Sequence, residues 1–151
     1  MHSLVRRYLK TGIVFLLVGL LLGAWMIVER ELRGRFPSPY LASAHSHAIL
    51  VGFVMMMILG VALWLFPRPE KGDGRYRPEL AAAAYWLVAA GTGGRIVGEL
   101  LRHASSAPAL RWAVVLFGLA QVAGIVLFFQ TMWSRIRPVG SQHREAKGER
   151  F

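Results

Sequence analysis

With 151 residues, the chain is sized for one domain. It has no cysteine, which excludes disulfides, zinc-thiolate and iron–sulfur sites and covalent c-type haem attachment. Hydrophobic residues make up 55% and fall in long runs that no small water-facing fold could bury. The basic residues behind the formal net charge of +10 sit almost entirely in the segments that flank and join those runs. There they set topology and meet anionic headgroups, so the lipid bilayer is an expected partner and nucleic acid is not.

The first predicted span covers residues 11–28, after the basic start Arg6-Arg7-Tyr8-Leu9-Lys10. The run is too long for a signal-peptide core, and Glu29-Arg30-Glu31-Leu32-Arg33 follows it instead of a small-residue cleavage site, so an uncleaved span is expected. Its Gly19 and Gly23, four apart, permit close helix approach. The second span covers residues 44–66 and is stopped by Pro67 and Pro69, since proline cannot continue a helix. A turn-rich basic connector around Lys71-Gly72-Asp73-Gly74 leads to a third span at residues 79–101, rich in alanine and glycine. The fourth span covers residues 110–133. The expected fold class is therefore an all-α membrane protein of four transmembrane helices. It has a membrane domain at 1–133 and a basic, disordered tail at 134–151.

Orientation follows from the cations. Twelve Lys and Arg lie in the N-terminus, the middle connector and the tail, against Arg30, Arg33, Arg35, Arg102 and Arg111 on the opposite side. The positive-inside rule puts both termini in the cytoplasm and the start of the second span at the outer face of the plasma membrane.

Few polar side chains lie at membrane depth. Arg95, Glu99 and His103 are spaced by four and form one stripe at the outer end of the third span. Arg95 and Glu99 read either as an ion pair that lets the helix carry charge or as partners of a bound group. His103 reads either as an interfacial side chain or as a ligand. Met55-Met56-Met57 points to all sides of its helix and reads as packing. His2 and His143 fall in the terminal tails and read as incidental. In Ala44-His45-Ser46-His47, by contrast, two imidazoles open an apolar span, where histidine is costly unless it has a function. At i and i+2 the rings diverge by about 200° and cannot chelate one metal from one helix. Haem iron suits such a pair, because axial ligands approach from opposite sides of the macrocycle. The opposing histidine is then His103 or comes from another protomer.

The stretch Ala44-His45-Ser46-His47, followed about twenty residues later by Trp64, Phe66 and Pro67, resembles the tenth helix of subunit I of the haem–copper oxidases. In that family an A-H-x-H sequence opens the helix and a Trp-Phe-Pro ending closes it. One histidine ligates the low-spin haem and the other the high-spin haem. The resemblance implies iron ligation by His45 and His47, bound haem b, and a role in electron transfer or in redox or gas sensing with an unidentified electron partner. It does not extend to the family's copper-site histidines or linked tyrosine, so copper is not expected and an enzyme is not the leading reading. The alternatives are a small oxidase or nitric oxide reductase-like subunit and a non-haem membrane assembly protein. The family's twelve helices form three pseudo-repeats of four, and the tenth is the second of its repeat. A homotrimer of this chain would supply twelve helices, with His45 of one protomer facing His47 of the next. In that picture the small-residue faces of the first and third spans aid packing between protomers. Arg95, Arg102 and Arg111, with Glu99 beside them, hold the haem propionates.

Overall fold

The computed structural model describes residues 2–67, 77–136 and 147–148. Arg68, Lys71 and Arg75 of the connector lie outside the described residues, as do His143 and most of the expected tail. The described elements are α1 (His2–Arg33), α2 (Pro39–His47), a π-helical segment (Ala48–Met55), α3 (Met56–Leu65), α4 (Pro78–Ala104), α5 (Pro108–Met132) and a 3-10 turn (Trp133–Arg135). α2, the π-helical segment and α3 run on as one span, so four helical spans are long and apolar enough to cross a membrane.

The helices outrun their apolar cores. α1 continues to Arg33, where Glu29 and Arg33 pair one turn apart. It ends at Gly34, whose φ of +64° favours glycine and lets the Arg35 N–H return to the Glu29 carbonyl at 3.0 Å. α2 begins five residues before the expected start of the second span. Ser38 caps it by accepting from the Leu41 N–H at 3.3 Å, and Pro39 follows in the first turn. The histidine pair is therefore held inside a formed helix, not at a fraying mouth. Pro78 and Pro108 likewise stand in the first turns of α4 and α5, without a side-chain cap.

α1 lies along the second span, α4 packs against α5, and α2 bridges the two pairs through α4. One core cluster gathers Tyr8, Met56, Leu59, Tyr85, Val88 and Phe128. There Tyr8 meets Tyr85 edge-on at 5.0 Å, and the Tyr85 hydroxyl is 2.8 Å from Thr11 Oγ1. A second cluster of Leu22, Leu41, Ala44, Ala48 and Ile96 floors the histidine end. Gly91, Gly94 and Gly98 of α4 serve the α4–α5 contact: a Cβ on Gly91 would lie 2.7 Å from the Gln121 backbone nitrogen. This close approach lets Gln121 Nε2 donate to Thr92 Oγ1 at 3.0 Å, with both side chains buried. The small faces of the first and third spans, expected between protomers, are thus used within the chain. Gly19 and Gly23 pack on Ile49 and His45, while Gly94 and Gly98 pack on Phe117 and Val114.

Arg135 departs most from its sequence reading. By sequence it belongs to the basic tail expected at 134–151, yet it is fully buried. Its guanidinium donates to the carbonyls of Leu63, Phe66 and Pro67 at 2.8–3.1 Å. These are the carbonyls that a helix end leaves without intrahelical partners, and Pro67 prevents the helix from continuing. The last helix thereby anchors the far end of the histidine-bearing span.

Candidate functional site

The C-terminal end of α1, α2, the C-terminal end of α4 and the start of α5 meet at one end of the bundle, and the polar cluster forms there. Three side-chain bonds tie α2 to α4: Ser38 to His103 at 2.8 Å, Tyr40 to Arg102 at 2.7 Å, and Ser43 to Glu99 at 2.7 Å. The partners ascend through 38, 40 and 43 on one side and descend through 103, 102 and 99 on the other, so the two helices run antiparallel here with a polar seam between them.

His45 and His47 leave the helix in different directions. The Nδ1 of His45 lies 2.8 Å from the Gly19 carbonyl on α1. The Nδ1 of His47 lies 2.8 Å from the Ser43 carbonyl one turn back, and 3.3 Å from the Ser43 hydroxyl. A carbonyl can only accept, so both Nδ1 atoms carry a proton, and in the neutral ring the lone pair resides on Nε2. That arrangement orients a metal-ligating histidine: one ring nitrogen donates to the protein and the other is left to bind. Both rings are half-buried.

Gly23 makes room for one of them, since a Cβ there would sit 2.9 Å from His45 Cε1. Beside it lies an open groove of about 480 Å³, with walls that include Leu20, Ala24, Ile27 and Pro37 and with Arg30 and His45 in its lining. This combines an apolar wall, a nitrogen ligand and a cation. Arg30 also pairs at the surface with Glu31 at 2.7 Å. The π-helical turn begins at Ala48, directly after His47, a feature common at functional sites.

The remaining polar residues fall into place around the pair. Arg95 Nε donates to Glu99 Oε1 at 3.0 Å, the ion pair that was one of its two sequence readings. Glu99 is 3% exposed, and its Oε2 has no hydrogen-bond partner among the described residues. Arg102 lies 4.5 Å over the Tyr40 ring as well as bonding its hydroxyl. His103 is exposed and bonded to the N-cap of α2. Arg111 is exposed in the first turn of α5. Among the described residues, no three His, Cys, Asp or Glu side chains converge as a metal-holding group. Ser43, Gly19 and Arg30 were not singled out as site residues from sequence. Of these only Ser43 carried a usable signal, a hydroxyl one turn before His47 in apolar context.

An all-helical bundle of four membrane spans, with a polar seam and two histidines at one end, defines a multi-pass membrane protein. The family model described as cytochrome C and quinol oxidase polypeptide I matches residues 3–145. The chain therefore belongs to the haem–copper oxidase subunit I family, and four of its described helices are long and apolar enough to cross a membrane. Comparison with curated proteins and with solved structures gives no match.

Proposed function

We propose that this chain is a b-type haem protein of the membrane, with His45 and His47 as iron ligands, acting in electron transfer or in redox or gas sensing. The observation that carries the reading is that both histidines donate Nδ1–H to main-chain carbonyls and keep Nε2 for a metal. The residues present fit the group. The two Nε2 atoms would ligate the iron, the groove beside His45 would offer it an apolar wall, and Arg30 in that lining would meet a carboxylate of the group. Arg111 is a second exposed cation at that end, whereas Arg95 and Arg102 already hold Glu99 and Tyr40. His103 acts through Ser38 to fix the start of the ligand helix in this reading. When bound, haem would supply a one-electron carrier. The chain's own part is to fix the tautomers, shield the macrocycle and neutralise its carboxylates.

The diverging rings direct the two ligands to different neighbours, which supports a homotrimer in which His45 of one protomer and His47 of the next share an iron. Both histidines stand at the rim of the bundle, half-buried, where a second chain can reach them. The cation count supports cytoplasmic termini and a haem end facing outward across the plasma membrane. A second reading, an oxygen- or nitric oxide-reducing subunit, draws on the family match and needs an open iron position and a further metal site. An optical spectrum of detergent-purified protein separates them. Sharp reduced α and β bands that vanish in both His45→Ala and His47→Ala are the expected result. A reduced spectrum that shifts on adding carbon monoxide selects the second reading, and no Soret band in haem-supplied protein excludes both.

A further inference from the structure

The two histidines differ in what stands behind them. His45 donates to the neutral carbonyl of Gly19. The Nδ1–H of His47 is shared between the Ser43 carbonyl and the Ser43 hydroxyl oxygen. A serine hydroxyl has one proton, and that of Ser43 is directed to Glu99 Oε1 at 2.7 Å. Its oxygen therefore presents only lone pairs to His47, so the hydrogen bonds run in one direction, from imidazole to hydroxyl to carboxylate.

Glu99 is well placed to polarise this chain. It is 3% exposed, and its only ion-pair partner among the described residues is Arg95, whose Nε reaches the same Oε1. Its Oε2 is buried with no donor among the described residues, so Arg95 alone shares the carboxylate with Ser43 there. In such a low-dielectric setting, aligned hydrogen bonds strengthen one another. Hydrogen bonding from a metal-ligating histidine to an acceptor of growing strength raises the ligand's basicity.

We propose that Glu99, acting through the Ser43 hydroxyl, is a positioning residue that makes His47 a stronger electron donor to iron than His45 and lowers the potential of the bound haem. This deepens the haem reading and rests on His47 being an iron ligand. A more basic ligand favours ferric over ferrous iron, so breaking the relay raises the midpoint potential.

The test is a spectroelectrochemical titration of the haem-loaded full chain in detergent, comparing wild type with Glu99→Gln, Ser43→Ala and the double variant. Each single variant is expected to lower the ferric-to-ferrous ratio at a fixed potential by about tenfold, a rise of about 59 mV for a one-electron couple. The double variant should move no further than either single, because both changes cut one chain of bonds. Ser43→Ala removes a single oxygen and carries the test alone if Glu99→Gln does not fold. Unmoved midpoints in variants that keep their α and β bands overturn this proposal and leave the haem reading intact. Additive shifts in the double variant overturn it equally, because Glu99 would then act without Ser43. A wild-type chain with no haem absorbance removes the haem reading, and this proposal falls with it.

Discussion

Gly19 and His45 are joined across two spans by a hydrogen bond of 2.8 Å, from the imidazole Nδ1–H to a main-chain carbonyl. The contact depends on Gly23, one turn further along α1, because a side chain there would strike the ring at 2.9 Å. A helix carbonyl is a fixed acceptor that no rotamer change can withdraw. The His45 tautomer is thus set by the distance between two helices.

The Gly23→Ala variant should consequently lose haem affinity without losing its fold. Displacing the imidazole removes the bond that orients it, and losing the hydrogen bond behind a metal-ligating histidine costs about 10–100-fold in metal affinity. Haem titration of the apoprotein, followed at the Soret band, would measure this. Gly12→Ala is the control, since its added Cβ meets only ordinary contacts at 3.5 Å and should leave affinity unchanged.

Much of this arrangement could be read from the residues, and the parts that could not have physical causes. Four apolar runs implied four helices, and their alternation across a membrane brought His45, His47, Glu99 and His103 to one end. The small residues at 19 and 23 implied a close helix approach. They did not show that the neighbour would be the histidine itself, since spacing reports an available groove and not its occupant. Arg135 was misplaced for a related reason. Sequence records a cation after an apolar run, but whether it meets water or carbonyls depends on where another helix ends. The π-helical turn after His47 carried no sequence signal.

Arg135→Ala should destabilise the bundle by about 2–3 kcal/mol, since it orphans several buried carbonyls at the end of α3. Thermal unfolding in detergent, followed by circular dichroism, would register a lower midpoint. The α and β band positions of bound haem should stay where they are, because the residue caps the opposite end of the histidine-bearing span.

The Thr92–Gln121 pair offers a cleaner measure of what one buried hydrogen bond contributes between α4 and α5. Thr92→Val and Gln121→Leu should each destabilise, because each leaves a buried partner unsatisfied. The double variant should recover part of the loss. A double-mutant cycle in detergent is expected to give a coupling of about 0.6–1.7 kcal/mol, the range found for hydrogen bonds between membrane helices. No coupling would mean that the freed groups find other partners inside the bundle.

Sharing of one iron between protomers has a stoichiometric signature. In a closed ring, each site would take His45 from one chain and His47 from the next, a head-to-tail contact repeated by symmetry. Trimers made only of His45→Ala chains, or only of His47→Ala chains, contain no site with both ligands. When the two variants are co-expressed in equal amounts and assemble at random, a site is complete only where an intact His45 meets an intact His47. Each choice has even odds, so about a quarter of the wild-type haem content should return. The pyridine haemochrome absorbance per mole of protein measures this directly, and native mass spectrometry of the same sample should show three chains. If each chain ligated its haem alone, co-expression would restore nothing. The recovered quarter therefore distinguishes ligation between chains from ligation within one.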